Sequence, residues 1–292
     1  MKNKILAGIL IVFLLIFTTC LLSCEEEKEY VDLSVMSFNI RLNTSVDKGV
    51  KSWGIRRPLV KDYVISKSAD VVCFQEVTVS QKEHIKEDFA DSYETYWKGR
   101  DNTSETEGLA ILYKKDRFEL VESGVFWLSE TPEEMSKGWS ALYYRICVNV
   151  TLRDKISDKV FTVYNVHLDH ISGEARENGI KLVAERAKEK GNEAIICGDF
   201  NANESSECVS ALALTHNSAK AVASISDEGG TYNDFGGIMI QLLADFYATP
   251  IDHIFVEKSI IVDEYLIFDE RPNEDGYYSD HYAIMAKIRL EK

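Results

Sequence analysis

Apolar residues recur along the chain with two spacings, and each spacing predicts a different element. Alternating apolar and polar positions, or a short unbroken apolar run, mark a strand; apolar residues three and four apart mark a helix face. Strand patterns occupy residues 31–40, 70–75, 93–98, 109–113, 119–127, 141–152, 160–167, 193–197, 251–256, 260–268 and 282–290. Helical spacing covers 57–67, where Leu59, Val60, Tyr63 and Val64 share one face and Pro58 suits a first turn. It also covers 80–89 and 174–190, the latter with Ile180, Val183, Ala184 and Ala187 in period. Residues 102–107 and 128–139 read as loops, the second long and polar. Residues 231–248 are apolar but broken by glycine, which predicts a loop with a short helix.

Strands outnumber helices, and hairpin-like connections mix with crossovers. That pattern predicts an α/β (α+β) fold: a four-layer sandwich of two packed mixed β-sheets flanked by helices. The chain has 292 residues, 45% of them hydrophobic, which is enough for one large domain. Only 4 prolines occur and no Ser/Gly-rich stretch, so no flexible linker divides it. Residues 31–292 are expected to form a single domain.

The first thirty residues stand apart. Lys2 and Lys4 precede an uncharged run, Ile5 to Leu22, that ends Leu21-Leu22-Ser23-Cys24. A charged start, an apolar stretch and small residues before a cleavage point describe a secretory signal over residues 1–23. The ending resembles a bacterial lipobox, in which Cys24 is acylated and anchors the mature chain to a membrane. Residues 24–30, acidic after Cys24, then form a tether. The expected location is exported and membrane-anchored, at the bacterial outer membrane or cell surface, with the domain monomeric.

Charge narrows the partners. The net charge is −15, which repels polyanions at long range and disfavours a protein that wraps duplex nucleic acid. Lys48, Lys51, Arg56 and Arg57 are the one local basic cluster. Of the cysteines beyond Cys24, Cys73, Cys147 and Cys197 sit in apolar runs and Cys208 in a more polar stretch. No Cys-x-x-Cys occurs, so no structural zinc is expected and no disulfide is required.

The informative positions are where polar residues end apolar strands. VMSFNIR brings Asn39; VVCFQEV brings Glu76; VYNVHLDH brings Asn165, His167 and Asp169. IICGDFNAN brings Asp199, Asn201 and Asn203, IDHIFV brings Asp252, and YYSDHYAI brings Asp280 and His281. Any one of these is ordinary as a turn or solvated strand end. Together, carboxylates and amides without cysteine suit a hard cation, Mg²⁺ or Mn²⁺. Histidines beside them suit proton transfer and hydrogen bonding to a charged oxygen. This is the set needed for metal-assisted displacement at phosphorus.

FNIR, FQEV, NVHLDH, GDFNA, IDHIFV and SDHYAI, in that order, resemble the endonuclease/exonuclease/phosphatase superfamily, the deoxyribonuclease I-like proteins, in its bacterial lipoprotein form. The resemblance runs over the mature chain. It implies a divalent-metal-dependent phosphoester hydrolase, a phosphodiesterase or phosphatase, in which water attacks phosphorus. It implies Glu76 as the main metal ligand, with Asn39 supporting the metal or binding phosphate and Asp280 beside the metal. His167 would bond the phosphate, Asp199 would deprotonate the water, and Asn201 would position it. His281 would bond a phosphate oxygen, oriented by Asp252.

Other positions carry weaker expectations. Arg145, in an apolar strand, suits either phosphate binding or a buried ion pair. Glu107 is a candidate to line the cleft, and Arg176 a scaffold ion pair. Tyr232 and Phe235 are candidates to stack on a substrate ring. His253 alternates away from Asp252 and is expected to be a structural, outward side chain. Phe126, Trp127 and Trp139 are the aromatics a lipid-directed diesterase would expose. An extracellular nuclease of the same family and a non-catalytic surface-binding lipoprotein are the alternatives.

Overall fold

A computed structural model describes residues 28–292. The expected signal segment, Cys24 and most of the acidic tether lie outside the described residues. Among the described residues, no helix is long and apolar enough to cross a membrane.

The strands, in chain order, are β1 (Tyr30–Asn39), β2 (Val71–Thr78), β3 (Tyr93–Gly99), β4 (Glu107–Lys114), β5 (Phe118–Trp127), β6 (Ile146–Asp154), β7 (Val160–His167), β8 (Glu193–Asp199), β9 (His216–Ser218), β10 (Ile225–Ser226), β11 (Asp252–Glu257), β12 (Ile261–Phe268) and β13 (Ala283–Glu291). They form two mixed sheets, ordered β10-β12-β13-β1-β2-β4-β3 and β5-β6-β7-β8-β11-β9. The longer helices are α1 (Trp53–Lys67), α2 (Val79–Phe89), α3 (Gly173–Lys190) and α4 (Glu207–Ala213).

Strand alternation builds the layers. Leu33 and Val35 of β1, Cys73 of β2, Val163 of β7 and Cys197 of β8 pack between the sheets. The intervening residues Met36, Phe38, Val72 and Phe74 face Trp53, Val60 and Val64 of α1 and Ile85 of α2. On the other side, Tyr164, Val166 and Ile196 meet Ile180 and Val183 of α3 and Leu212 of α4. The result is the expected four-layer sandwich. Local signals agree: Thr78 and Gln81 form a capping box that starts α2, Ser172 caps α3, and Gly191 ends it in the left-handed region.

Several elements differ from the sequence reading. Helix α1 begins at Trp53, so Pro58 lies inside the helix and leaves one helical hydrogen bond unmade. The strand expected from residue 141 begins only at Ile146, because Trp139 and Ser140 adopt positive φ and Leu142 and Tyr143 turn out to solvent. Helix α4 was not expected; it buries Cys208 and Leu212 against α3 and Ile196. Cys73, Cys147, Cys197 and Cys208 are all buried and free.

The basic cluster is also reassigned. Arg56 is fully buried and donates to the carbonyls of Ile40, Arg41, Lys51 and Tyr278, while Arg57 pairs with Asp88 and Glu87. Arg56 is thus withdrawn from the surface and Arg57 neutralised by acidic partners, while Lys48 stays exposed. Phe126 is buried, and Trp127 donates to the Arg100 carbonyl, so these aromatics pack rather than project.

Candidate active site

The sandwich positions the polar strand ends by parity and direction. The inter-sheet parity of β1 runs through Leu33 and Val35 to Asn39; that of β7 runs through Val163 to His167; that of β8 runs through Cys197 to Asp199. β1 is parallel to β2, and β7 to β8. Their C-terminal ends therefore share one rim. Antiparallel β11, β13, β4 and β6 bring their N-terminal ends there: Asp252, His281, Glu107 and Arg145. Where the inner apolar faces run out, the polar residues of both sheets meet.

Glu76 needs one further device. Simple alternation would turn it away from the inter-sheet layer. The β2–β4 register shifts between Phe74 and Val77, and Glu76 adopts φ 60°, so the bulge re-aims its carboxylate into the cleft. The backbone N–H of Leu42 donates to Oε2 at 3.0 Å, and Asn39 Nδ2 donates to Oε1 at 3.1 Å. Gln81, while capping α2, also holds Arg41 O and Asn43 N, fixing the 41–43 segment beside Glu76.

Asn39 bridges the two halves of the site. Its amide nitrogen also donates to Asp199 Oδ2 at 2.9 Å. Its oxygen accepts from the Arg41 backbone N–H at 3.0 Å. Asn39 therefore positions both carboxylates, and its oxygen, with one partner where it can accept two, keeps a lone pair for a cation or its water.

Asp199 is buried at the centre. Its Oδ1 accepts the Asn201 N–H at 2.8 Å, and His167 Nε2 lies 3.5 Å and His281 Nε2 3.7 Å from Oδ2. Burial, reinforced by the charge of Asp252 against the pull of His281, pushes Asp199 up to about 7. Asn201 itself adopts φ 48° and donates its amide to Leu168 O at 3.1 Å.

His281 is fixed from behind. Its Nδ1 lies 2.8 Å from Asp252 Oδ2, and that oxygen also accepts Thr231 Oγ1 at 2.6 Å. Burial disfavours the imidazolium, but Asp252 and Asp199 outweigh it and hold the ring up to about 10. Its Nε2 then presents a charged donor to the cleft. His167 behaves oppositely: burial, then the charges of Arg145 and Arg100, keep it well below the usual imidazole range. One histidine is charged and the other neutral, a division set by their neighbours. Asp199, Asp252 and His281 bring ligand atoms within 4.8 Å of one another. His281 and Asp252 are already hydrogen-bonded to each other, and a cation among the three would displace that bond.

The fit to a cation lies one step away. Glu76, Glu107 and Asp280 line the same cleft, of about 560 Å³. Asp280 is buried and pushed up, first by burial and then, against the pull of His281, by the charge of Glu76; its partner Arg41 is 3.6 Å away. Glu107 is likewise raised by burial and by Glu76, although Arg100 pairs with it. Hard oxygen donors that repel one another in a buried cleft are suited to a divalent cation. Glu76 and Asp280 are the residues that would hold it.

The remaining candidates separate. Arg145 is buried, 3.5 Å from Asp169, and lines the cleft beside His167, so it is at once partnered and placed for substrate. Tyr232 lines the cleft with its ring edge-on to His281 at 5.0 Å. Phe235 does not; it is buried against Tyr277. Arg176 donates to the Asp169 carbonyl, a scaffold role. His253 faces away from the inter-sheet layer as expected but is buried, bonding Ala202 O at 2.8 Å and packing on Phe200. Thr231, Arg41 and Arg100 were missed. Thr231 lies in a glycine-broken loop with no periodic signal, and only the fold brings it to Asp252.

Comparison with known proteins places this geometry. A profile of the Endonuclease/Exonuclease/phosphatase family matches residues 36–281. An endonuclease/exonuclease/phosphatase family protein from Bacteroides thetaiotaomicron is 30% identical, with a TM-score of 0.81, covering 90% of this chain and 100% of that one. A mannosyl-6-phosphatase of the same organism is 31% identical, with a TM-score of 0.79, covering 88% and 99%. An uncharacterized protein of Acanthamoeba polyphaga mimivirus is 25% identical, over 79% of this chain and 97% of its own length.

Proposed function

The chain belongs to the endonuclease/exonuclease/phosphatase family, and from that premise we propose that it is a divalent-metal-dependent hydrolase of small phosphoesters. Members of this family are hydrolases that act on phosphoesters. The observation that carries the reading is that two hydrogen-bonded sets, Asp252–His281 and Asp199–Asn39–Glu76, meet in one cleft with His281 Nε2 3.7 Å from Asp199, which sets a proton acceptor beside a cation-suited carboxylate.

The residues take distinct roles. Glu76 and Asp280 would hold a Mg²⁺ or Mn²⁺ ion, which would supply charge neutralisation for the phosphate. Asp199 accepts the proton of the attacking water; its raised affinity suits a general base near neutral pH. Asn201, held by Leu168, orients that water. His281, charged through Asp252, donates to a phosphate oxygen as negative charge grows there. His167, neutral, donates one hydrogen bond to the phosphate and leaves the acid–base work to Asp199.

Substrate size follows from the walls. Tyr232, Phe246 and Tyr247 close one side of the cleft and Arg100, Tyr143 and Arg145 the other. With Arg56 buried, Arg57 paired to Asp88 and Glu87 and a net charge of −15, a compact phosphoester is favoured over a long polynucleotide. The mannosyl-6-phosphatase relative makes a hexose 6-phosphate the first substrate to try. The ordered hydrogen bonds of His281 to Asp252 and of Asn39 to Asp199 and Glu76 disfavour the non-catalytic alternative.

The test is turnover of p-nitrophenyl phosphate and bis-p-nitrophenyl phosphate by residues 25–292 in Mg²⁺, Mn²⁺ and EDTA. EDTA-sensitive turnover is expected, with Asp199→Asn and His281→Ala each losing about 10²–10⁴-fold in kcat. Full activity in both variants would falsify the assignment. The reading extends to export and lipid attachment at Cys24, supported by the Leu-Leu-Ser-Cys sequence. Incorporation of labelled fatty acid into the wild type, and its loss in Cys24→Ser, is the expected result.

A further inference from the structure

The cleft holds a second cluster of charge that the hydrolytic residues do not use. Arg100 follows β3, the edge of the first sheet, and Arg145 precedes β6 in the second. Both line the cleft, together with Tyr143 and His170. Arg145 makes two side-chain contacts, to Asp169 Oδ2 at 3.5 Å and His170 Nδ1 at 2.9 Å, although a guanidinium offers five donors. The other Asp169 oxygen is occupied by the backbone N–H groups of Ile171 and Ser172. Arg100 pairs with Glu107, but its Nε is buried without a partner.

The surroundings shape this corner as a receptor for a planar or tetrahedral anion. The Tyr143 ring lies 5.1 Å from the Arg100 guanidinium and stacks on His170 at 5.5 Å. Tyr143 is 41% exposed, so the corner opens to the cleft mouth. Burial, and then the charge of Arg100, lowers the proton affinity of Arg145 against the pull of Glu107, Asp169 and Asp199. A neutral hydroxyl would satisfy a donor but would not relieve that repulsion. An anion does both, and a guanidinium can grip a carboxylate or phosphate with two bonds.

Strand counting gives the span. Asp199 on β8 is two strands from β6, and Glu76 on β2 is two strands from β3, with β7 and β4 between. At about 4.8 Å per strand the backbone that carries Arg100 and Arg145 lies about 10 Å from the strands that carry Asp199 and Glu76, the width of a sugar-sized body, and both side chains reach back into the cleft. Arg145 stands next to His167.

We propose that Arg100, with Tyr143 and His170, forms a subsite for a second anionic group on the substrate, a carboxylate or a second phosphate, about one sugar ring from the reacting phosphorus. This rests on the phosphoester hydrolase reading and narrows it: the preferred substrate is a phosphoester with a further negative charge.

Binding tests the subsite apart from turnover. Calorimetry in Mg²⁺ on Asp199→Asn compares 6-phosphogluconate with glucose 6-phosphate, and fructose 1,6-bisphosphate with fructose 6-phosphate. The doubly anionic member of at least one pair is expected to bind about tenfold more tightly. The first pair reports a carboxylate, the second a phosphate. Arg100→Met added to that background should bring the preferred pair to near equality, and Arg100→Lys, which keeps the charge and guards against a folding defect, should restore part of the difference. Equal binding within both pairs, or a preference that survives Arg100→Met, overturns the subsite. Turnover of p-nitrophenyl phosphate by the wild type reports the hydrolase separately, so failure there with the binding preference intact removes the reaction and leaves the subsite.

Discussion

At the scale of single residues, the site works by opposite treatment of like groups. Asp199 and Asp252 are both buried carboxylates, yet Asp252 is engaged by His281 and Thr231 while Asp199 faces the cleft. The consequence is a pH profile. Asp199 must be deprotonated to accept a proton, so kcat/KM should rise with pH up to about 7 at low metal. A cation near Glu76 favours the carboxylate form, so raising Mg²⁺ should move this limb to lower pH. A limb that ignores metal concentration would argue that Asp199 is not the titrating group. Stability of the metal-free protein carries the complementary sign. His281 is raised from 6.5 to about 10 on folding, so its contribution is complete below 6.5 and is lost as pH climbs through 10. Asp252→Asn should flatten that decline in urea melts at several pH values.

At the scale of elements, two backbone irregularities aim the chemistry. One is the β2 bulge at Glu76. The other is the end of β8, where Gly198 has φ 145° and an added Cβ would sit 1.9 Å from the Val166 carbonyl oxygen. Only glycine allows β7 and β8 to approach closely enough for His167 to reach Asp199. Gly198→Ala should therefore cost about 2–4 kcal/mol in a denaturant melt, and lose activity even where it folds. A neutral outcome would mean that the GDFN turn tolerates displacement. The strand ends themselves were legible, since apolar runs that stop at Asn, Glu, His or Asp are visible in one dimension. The bulge was not: the strand pattern 70–75 stops before Glu76, and only pairing against β4 exposes the extra residue.

At the scale of the whole molecule, direction matters. β1 runs from Tyr30 at one end of the sandwich to Asn39 in the cleft, a span of about 30 Å. Should Cys24 carry lipid, the short stretch to Tyr30 reaches at most about 20 Å. The cleft would then face away from the bilayer. Vesicle-bound, lipidated protein is expected to hydrolyse soluble p-nitrophenyl phosphate within about twofold of the free domain, and not the lipids of its own vesicle. Preferential hydrolysis of those lipids would overturn this orientation. Metal acts on the same scale: at a hundredfold excess over Kd, Mg²⁺ should stabilise the fold by about 2.7 kcal/mol. Glu76→Gln should remove most of the resulting rise in Tm.

The class of fold, most strand positions, the residue types of the site and the family they resemble were legible along the chain. Those follow from local periodicity and from polar residues breaking apolar runs, both of which are properties of neighbours along the chain. Tertiary structure alone decided which of these residues meet. It showed that Asn39 turns its nitrogen toward the carboxylates, that Arg56 is internal and Arg57 tied up in a surface ion pair, that Thr231 supports Asp252, and that Arg100 faces the cleft. The physical reason is register and direction: a polar residue reaches the rim only if its strand's parity, its parallel or antiparallel sense and its bulges agree. These are set by pairing between strands far apart in sequence.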